Sequence, residues 1–184
     1  MSSWRRKTRR PSRAGLSLLD VLVAMTVLVV AIAGLSGSLV SSLKLARVNE
    51  ETSLADDAAQ AVAAELRGQD FRDVFALYNT VAADDPAATP APGPDFDVRG
   101  LTAQAGDADG RVGRVIFPTG APGTLREDVI DASLGLPRDV NGDGVVDAVD
   151  HAGDYVLLPV TIRLDWTGPT GDRSFELDLL LVDG

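Results

Sequence analysis

The chain has 184 residues, of which 45% are apolar and 5% aromatic, and it contains no cysteine. This length suits one ordinary domain plus a separate N-terminal segment, and the lack of cysteine excludes disulfides and thiolate metal sites. The net charge is −10, but residues 1–15 carry six basic and no acidic side chains. The rest of the chain therefore carries 11 basic against 27 acidic side chains. A body this acidic repels phosphate backbones, which argues against nucleic-acid binding.

An uncharged apolar run extends from Val21 to Leu43. About 20 such residues cross the roughly 30 Å hydrocarbon core of a bilayer, so we predict one membrane span within 16–43. The basic residues precede the span, which predicts a cytoplasmic N-terminus and an extracytoplasmic body. A cleaved secretory signal has a shorter apolar region. A plain signal anchor explains everything except the carboxylate of Asp20, because a charge within a span is costly.

The segment RPSRAGLSLLDVLVAM, at positions 10–25, joins the basic head to the apolar run. It resembles the prepilin signature of type IV pilins and type II secretion pseudopilins. In that family a prepilin peptidase cuts after the glycine and N-methylates the new first residue. The resemblance implies cleavage between Gly15 and Leu16, removal of the leader 1–15 and methylation of Leu16. It also places Asp20 at the fifth mature position, where the family usually has glutamate, while Leu16 stands where phenylalanine or methionine is commoner.

A role for Asp20 follows from this resemblance. Cleavage creates a charged amine on Leu16, and the amine and the Asp20 carboxylate of a neighbouring subunit would both be desolvated when subunits stack. Pairing the two charges removes most of that penalty, so Asp20 is expected to set the axial register between helices.

The resemblance implies a minor pilin or minor pseudopilin of a type IV pilus or type II secretion-like filament. Such a subunit sits in the bacterial inner membrane before assembly, and its partners are the peptidase, other pilins or pseudopilins and the assembly machinery. In outline the chain is most similar to minor pilins of the PilV type. The alternative is a membrane-anchored, extracytoplasmic calcium-binding interaction module that does not polymerise.

Past Leu43 the apolar positions recur every three or four residues, which is typical of an amphipathic helix. This stripe consists of Val48, Thr52, Ala55, Ala59, Val62 and Leu66. We predict a continuous helix from Leu16 to about Arg67, with Gly68 as a stop or kink, and we assign 44–78 to the extracytoplasmic helical region. Glu51 is expected on another face. Residues 79–95 are rich in proline and alanine and predict a surface loop.

Residues 96–184 are predicted to form a sheet. The strand candidates are 98–104, 110–118, 156–166 and 173–183, and the last two flank the turn TGPTG. Alternation places Phe175, Leu177 and Leu179 on one face of the last strand. The predicted fold is α+β and pilin-like: a long N-terminal helix, membrane-spanning in its first half, packs on a small antiparallel sheet of about four strands.

The segment DVNGDGVVDAVD, at 139–150, is acidic and contains two glycines. Its spacing fits a twelve-residue calcium loop, in which alternate side chains turn toward one centre. Gly144 falls where such a loop turns sharply, and the number of oxygen ligands favours calcium over magnesium. The predicted ligands are the side chains of Asp139, Asn141, Asp143, Asp147 (directly or through water) and Asp150, and the carbonyl of Val145.

Asp150 occupies the twelfth position, where most such loops have glutamate, and in this respect the loop resembles those of dockerin repeats. Dockerins carry two loops, whereas GDADG at 106–110 lacks the remaining ligands, so a cohesin-binding dockerin is not expected. The calcium is expected to be structural, and a metal-free acidic turn is the alternative.

His151 follows the loop as the only histidine and is expected to be an exposed polar residue. One histidine and no cysteine exclude most nucleophile–base pairs. The acidic clusters fit turns and the calcium loop, so the chain is predicted not to be an enzyme.

Overall fold

The computed structural model describes residues 17–87, 90–121 and 123–183. Gly15 and Leu16, the predicted cleavage and methylation positions, lie outside the described residues. The fold combines a long apolar N-terminal helix with a four-stranded antiparallel sheet, which is the predicted α+β layout. Its elements are α1 (Leu18–Gly68), a short 3-10 helix (Phe71–Asp73), α2 (Val74–Tyr78), β1 (Asp95–Phe96), β2 (Gly113–Ile116), β3 (Leu157–Gly168) and β4 (Gly171–Val182).

The chain divides into two compact units, one ending at Leu43 and the other beginning at Lys44. In the first unit the described residues of α1 are helical and exposed throughout. An 18-residue stretch of α1 has a mean hydropathy of 2.6, and none of this stretch is buried within the protein. By length and composition this helix can span a membrane, which is compatible with a single-pass membrane protein.

The second unit is built around the part of α1 that carries the predicted stripe. Of the stripe, Ala55, Ala59 and Leu66 are buried, and the other positions are half-buried. Ala63, which the stripe did not include, is buried as well. These residues share one hydrophobic core with the inward-facing side chains of β3, among them Val160. The stripe is therefore confirmed. Small side chains at four-residue spacing leave room for the sheet side chains to pack against the helix.

Glu51 departs from the prediction, because its side chain is buried rather than exposed. The Trp166 indole Nε1 donates to one Glu51 carboxylate oxygen at 3.3 Å, and the Arg47 guanidinium donates to the other at 3.0 Å. A Cβ at Gly168 would lie 2.6 Å from the Glu51 carboxylate, so a larger residue there would require this carboxylate to shift. Burial of this charge is tolerated because it is paired and hydrogen-bonded.

The sheet has the order β1-β2-β3-β4, with antiparallel neighbours. The predicted last hairpin is confirmed: β3 and β4 pair over their whole length, from Leu157 opposite Val182 to Gly168 opposite Gly171. The predicted alternation on β4 is also confirmed. Its apolar residues Phe175, Leu177 and Leu179 are half-buried, and the acidic residues between them are exposed.

The predicted strand at 98–104 was wrong, because these residues form a turn and an irregular segment. Gly100 has a φ of +97°, and the carbonyl of Thr102 accepts the Thr167 N–H at 2.9 Å. The first strand is instead β1, at the end of the predicted loop. Its Phe96 ring lies over Gly113, where a Cβ would come within 2.2 Å of the ring.

Residues 71–78 do not continue α1, which ends at Gly68. They form the 3-10 helix and α2, and Tyr155 holds them against the core. The Tyr155 hydroxyl donates to the carbonyl of Phe71 at 2.6 Å, and the two rings pack edge to face with centroids 5.0 Å apart. The same hydroxyl accepts the N–H of Phe75 at 3.4 Å.

The two tyrosines of the chain should ionise at a higher pH than a free tyrosine does. Burial raises the pKa of Tyr155 from 10.0 to about 12, and burial followed by the hydrogen bond to Glu65 raises the pKa of Tyr78. The folded state favours the neutral phenol. The stability that the neutral tyrosines contribute is therefore complete below the unfolded pKa of about 10, and it is lost as pH rises through the folded pKa. We expect tyrosinate absorbance to develop near or above pH 12 in the folded chain and near pH 10 in urea. A folded-state titration centred at pH 10 would contradict the described burial.

Candidate metal site in the acidic loop

The acidic loop, residues 139–150, begins with a carboxylate that holds the following backbone. One oxygen of Asp139 accepts the N–H of Gly142 at 2.6 Å, and the other accepts the N–H of Gly144 at 2.8 Å. The bond from Gly144, reinforced by the bond from Gly142, lowers the pKa of Asp139 below its usual value. Asp139 is therefore ionised at neutral pH, as a metal ligand must be.

The next acidic-loop side chains repeat one local turn. The side chain of Asn141 accepts the Asp143 N–H at 3.0 Å, and the side chain of Asp143 accepts the Val145 N–H at 2.8 Å. Gly142 and Gly144 have φ values of +81° and +87°, which other residue types rarely adopt. The predicted need for glycine at position 144 is confirmed, and Gly142 is a second such position that the spacing argument did not single out.

Asp147 and Asp150 are held at the far end of the loop. Asp147 Oδ1 accepts the Val149 N–H at 2.7 Å. Asp150 Oδ1 accepts the N–H of Leu125 at 2.9 Å and of Ala152 at 3.1 Å. Asp150, the predicted closing ligand, thus fastens the end of the loop to the segment around Leu125.

A buried carboxylate that the sequence analysis missed accepts hydrogen bonds from the backbone of the loop. Glu127 has no exposed surface. Its Oε1 accepts the N–H of Val140 at 2.6 Å and of Asn141 at 3.3 Å, and its Oε2 accepts the N–H of Asp147 at 3.1 Å. One side chain thus joins both arms of the loop. The segment TLREDVI around Glu127 has no motif that marks this role.

His151 is buried, with 4% of its surface exposed, so the prediction of an exposed histidine was wrong. Its Nε2 lies 3.2 Å from Asp147 Oδ1 and 3.8 Å from Glu127 Oε2, and its Nδ1 lies 3.1 Å from Asp154 Oδ1. Burial alone lowers the pKa of His151, but hydrogen bonds to Asp147 and Asp154 and the charge of Glu127 raise it above 6.5 overall. The surrounding carboxylates, which sequence spacing does not reveal, explain why the ring is inside.

These contacts create a group that can hold a metal ion. The donor atoms of Glu127, Asp147 and His151 all lie within 4.8 Å of one another. Two carboxylates and an imidazole are all common metal ligands. Of the predicted calcium ligands, only Asp147 belongs to this group.

Asp20, the predicted register residue, lies in the first turn of α1. Its carboxylate accepts the Ser17 N–H at 3.2 Å, and the Ser17 hydroxyl accepts the Leu19 N–H at 3.3 Å. This arrangement is a variant of the capping box, in which the hydroxyl accepts the N–H of the second helical residue instead of the third, and it satisfies two backbone donors at the helix start. The carboxylate therefore has a role within its own chain, in addition to any role between chains.

No known protein family, curated protein or solved structure matches the chain. The resemblance to prepilins therefore rests on the N-terminal residues and on the layout of the fold.

The contribution of Glu127 can be measured by replacing it with glutamine. Glutamine keeps the size of the side chain but has one acceptor oxygen, so at least one buried N–H in the loop loses its partner. An unsatisfied buried donor costs about 1–3 kcal/mol, and we expect Glu127→Gln to lower the free energy of unfolding by that amount. Urea unfolding of the detergent-solubilised chain, followed by tryptophan fluorescence, measures the change.

The matched control is Asp128→Asn. Asp128 is the next residue along the chain, but its side chain is 39% exposed and pairs with Arg126 at the surface. Exposed ion pairs contribute little, so this variant should unfold within about 0.5 kcal/mol of the wild type. Equal effects of the two substitutions would contradict the role assigned to Glu127.

Proposed function

We propose that the chain is a structural subunit, a minor pilin or minor pseudopilin, of a type IV pilus or type II secretion-like filament. A prepilin peptidase would cut after Gly15 and methylate the amine of Leu16. The observation that carries the proposal is the segment RPSRAGLSLLDVLVAM, in which a basic leader, a glycine and a carboxylate five residues later precede an apolar run. Before assembly the subunit would sit in the bacterial inner membrane, with its N-terminus cytoplasmic and its sheet extracytoplasmic.

The described residues supply the parts that such a subunit needs. The first unit offers a helix whose apolar side chains are exposed along its length, as required of an anchor that later packs among identical helices. The second unit offers a compact sheet and helix with its own hydrophobic core. Other pilin or pseudopilin subunits and the assembly machinery would be the partners.

The capping box supports the role proposed for Asp20. A carboxylate near a membrane surface is costly unless it has a partner, and the Ser17 N–H provides one at 3.2 Å within the same chain. A capping carboxylate also sits favourably at the positive end of a helix dipole. In a filament, the amine of Leu16 from a neighbouring subunit would be a stronger, charged partner. If Asp20 exchanged the Ser17 N–H for this charged amine, the pairing would favour a single axial register between neighbouring helices.

Processing is the decisive test of the filament proposal. We expect the intact mass of the protein from membranes of its own host to match a chain that begins at Leu16 and carries one extra methyl group. The variant Gly15→Glu should retain residues 1–15, because the peptidase of the family that the chain resembles cuts after a glycine. The neighbouring substitution Ala14→Ser leaves this glycine in place and should be processed normally. The Asp20→Asn chain should be cleaved after Gly15 but should be absent from sheared filaments. The Asp20→Glu chain keeps the charge and should still be found in them.

A wild-type chain that retains residues 1–15 would contradict the filament proposal. The remaining explanation would be the anchored, non-polymerising calcium-binding module, which has no use for a free methylated amine.

We further propose that the acidic loop binds calcium as a structural ion. The hydrogen bond from the Gly144 N–H to Asp139 and the repeated turns at Asn141 and Asp143 support the proposal, because they fall at the alternate positions that the loop spacing predicts. The ligands would be the side chains of Asp139, Asn141, Asp143 and Asp150, the carbonyl of Val145, and Asp147 directly or through water. Clustered carboxylates of one sign repel each other, so a bound cation would stabilise the loop.

Calcium should therefore raise the unfolding temperature of the chain. At ten times the dissociation constant, a ligand that binds only the folded state adds about 1.4 kcal/mol of stability. We expect chelator-treated wild type to gain this stability in calcium, as measured by thermal unfolding in detergent. Asp143→Ala should lose the response, while Asp107→Ala, in the GDADG turn that lacks a full ligand set, should keep it. An equal response in Asp143→Ala, or none in the wild type, would contradict calcium binding by the loop.

A further inference from the structure

The contacts of His151 point to a second kind of ion beside the acidic loop. We propose that Glu127, Asp147 and His151 form a separate site for a borderline divalent transition ion such as zinc, with Asp154 as a positioning residue. The proposal does not depend on filament assembly. It adds a nitrogen-containing site to a loop whose predicted calcium ligands are all oxygens.

Two of the donor separations are close to those that such an ion requires, and all three donor atoms lie within 4.8 Å of one another. Zinc binds imidazole nitrogen and carboxylate oxygen at about 2.0–2.2 Å, so two ligands at a tetrahedral angle lie about 3.3 Å apart. His151 Nε2 lies 3.2 Å from Asp147 Oδ1 and 3.8 Å from Glu127 Oε2. The first separation matches, and the second needs a shift of a few tenths of an ångström. Three protein ligands leave a fourth position for water.

Asp154 can orient the His151 ring for metal binding. Its carboxylate faces Nδ1 at 3.1 Å and can accept a hydrogen from it, which leaves Nε2 as the metal-binding nitrogen of a neutral ring. In the neutral ring, Nε2 then presents a lone pair toward the oxygens of Asp147 and Glu127, which are also electron-rich. A metal ion or a proton at this point turns the repulsion into attraction. A carboxylate on the far nitrogen is the usual outer partner of a metal-binding histidine.

The three ligands are held in place by backbone contacts. Glu127 accepts N–H groups from both arms of the loop, and Asp147 accepts the Val149 N–H. The His151 N–H donates to the carbonyl of Leu125 at 2.8 Å. The side chains of His151 and Glu127 are 5% and 1% exposed, whereas that of Asp147 is 38% exposed. Asp147 therefore marks the side from which an ion and a water can enter.

Ligand chemistry separates this site from the calcium loop. Calcium prefers six to eight oxygens, and an imidazole with two carboxylates suits zinc or a similar ion. With Asp147 in the zinc site, calcium would reach the ninth loop position through a water, which is one of the two arrangements that the loop spacing allows. The competing occupant of the space beside Nε2 is a proton, which would make His151 an imidazolium paired with carboxylates.

The test uses the full chain in detergent, stripped of metal with a chelator and titrated with zinc chloride, cobalt chloride or calcium chloride. Calorimetry gives the affinity and stoichiometry, and the visible absorption of cobalt reports coordination by nitrogen and oxygen in a low-symmetry site. We expect wild type to bind one zinc ion and to give the cobalt spectrum. His151→Gln should weaken zinc binding at least 100-fold and remove the spectrum but leave the calcium response unchanged. Asp143→Ala should have the reverse pattern.

The milder variant Asp154→Asn keeps His151 and guards against a His151→Gln chain that does not fold. Loss of an outer partner typically costs 10–100-fold in metal affinity, so Asp154→Asn should weaken zinc by that factor without changing the calcium response. The proposal is overturned if wild type binds no zinc, which leaves the imidazolium as the occupant. It is also overturned if both histidine-site variants bind zinc as tightly as wild type, or if calcium displaces zinc one for one.

Discussion

The packing of α1 against the sheet is the constraint on which the second unit depends. Ala55, Ala59 and Ala63 are almost fully buried and share one core with Val160 and Ile162 of β3. Alanine at four-residue spacing gives the helix a smooth face, so packing is decided by the larger side chains of the sheet. Packing of this helix face on the sheet brings Glu51 within reach of the Trp166 indole. The polar contact is thus a result of the apolar packing around it.

A buried carboxylate has a comparable organising role at the other end of the unit. Glu127 accepts three backbone N–H groups. It adds a buried carboxylate to a loop that is already acidic. The loop therefore concentrates negative charge around His151 and Asp147, and that concentration creates the demand for a positive partner. Each of the two proposed metal ions would offset this negative charge, at a different part of the same loop.

Periodicity predicted much of the fold, because it reflects burial along one element. The alanine stripe of α1 and the alternation around Leu177 on β4 depend only on local spacing, and both were confirmed. The strand at 98–104 failed because Gly100 adopts a left-handed turn and the segment bonds instead to Thr167. For the site, spacing identified the acidic loop and Gly144. It missed Glu127 and the burial of His151, since both depend on contacts between segments that no local pattern encodes.

One consequence concerns β4, which lies at an edge of the sheet. Long edge strands expose unpaired backbone groups and invite pairing with another copy. If two copies paired antiparallel about Leu177, Glu176 of one would lie opposite Asp178 of the other at two places. Like charges directly opposite each other destabilise a strand pair. The acidic side chains of β4 therefore protect the folded chain against edge-to-edge aggregation, a hazard that grows when many copies are crowded together at one surface.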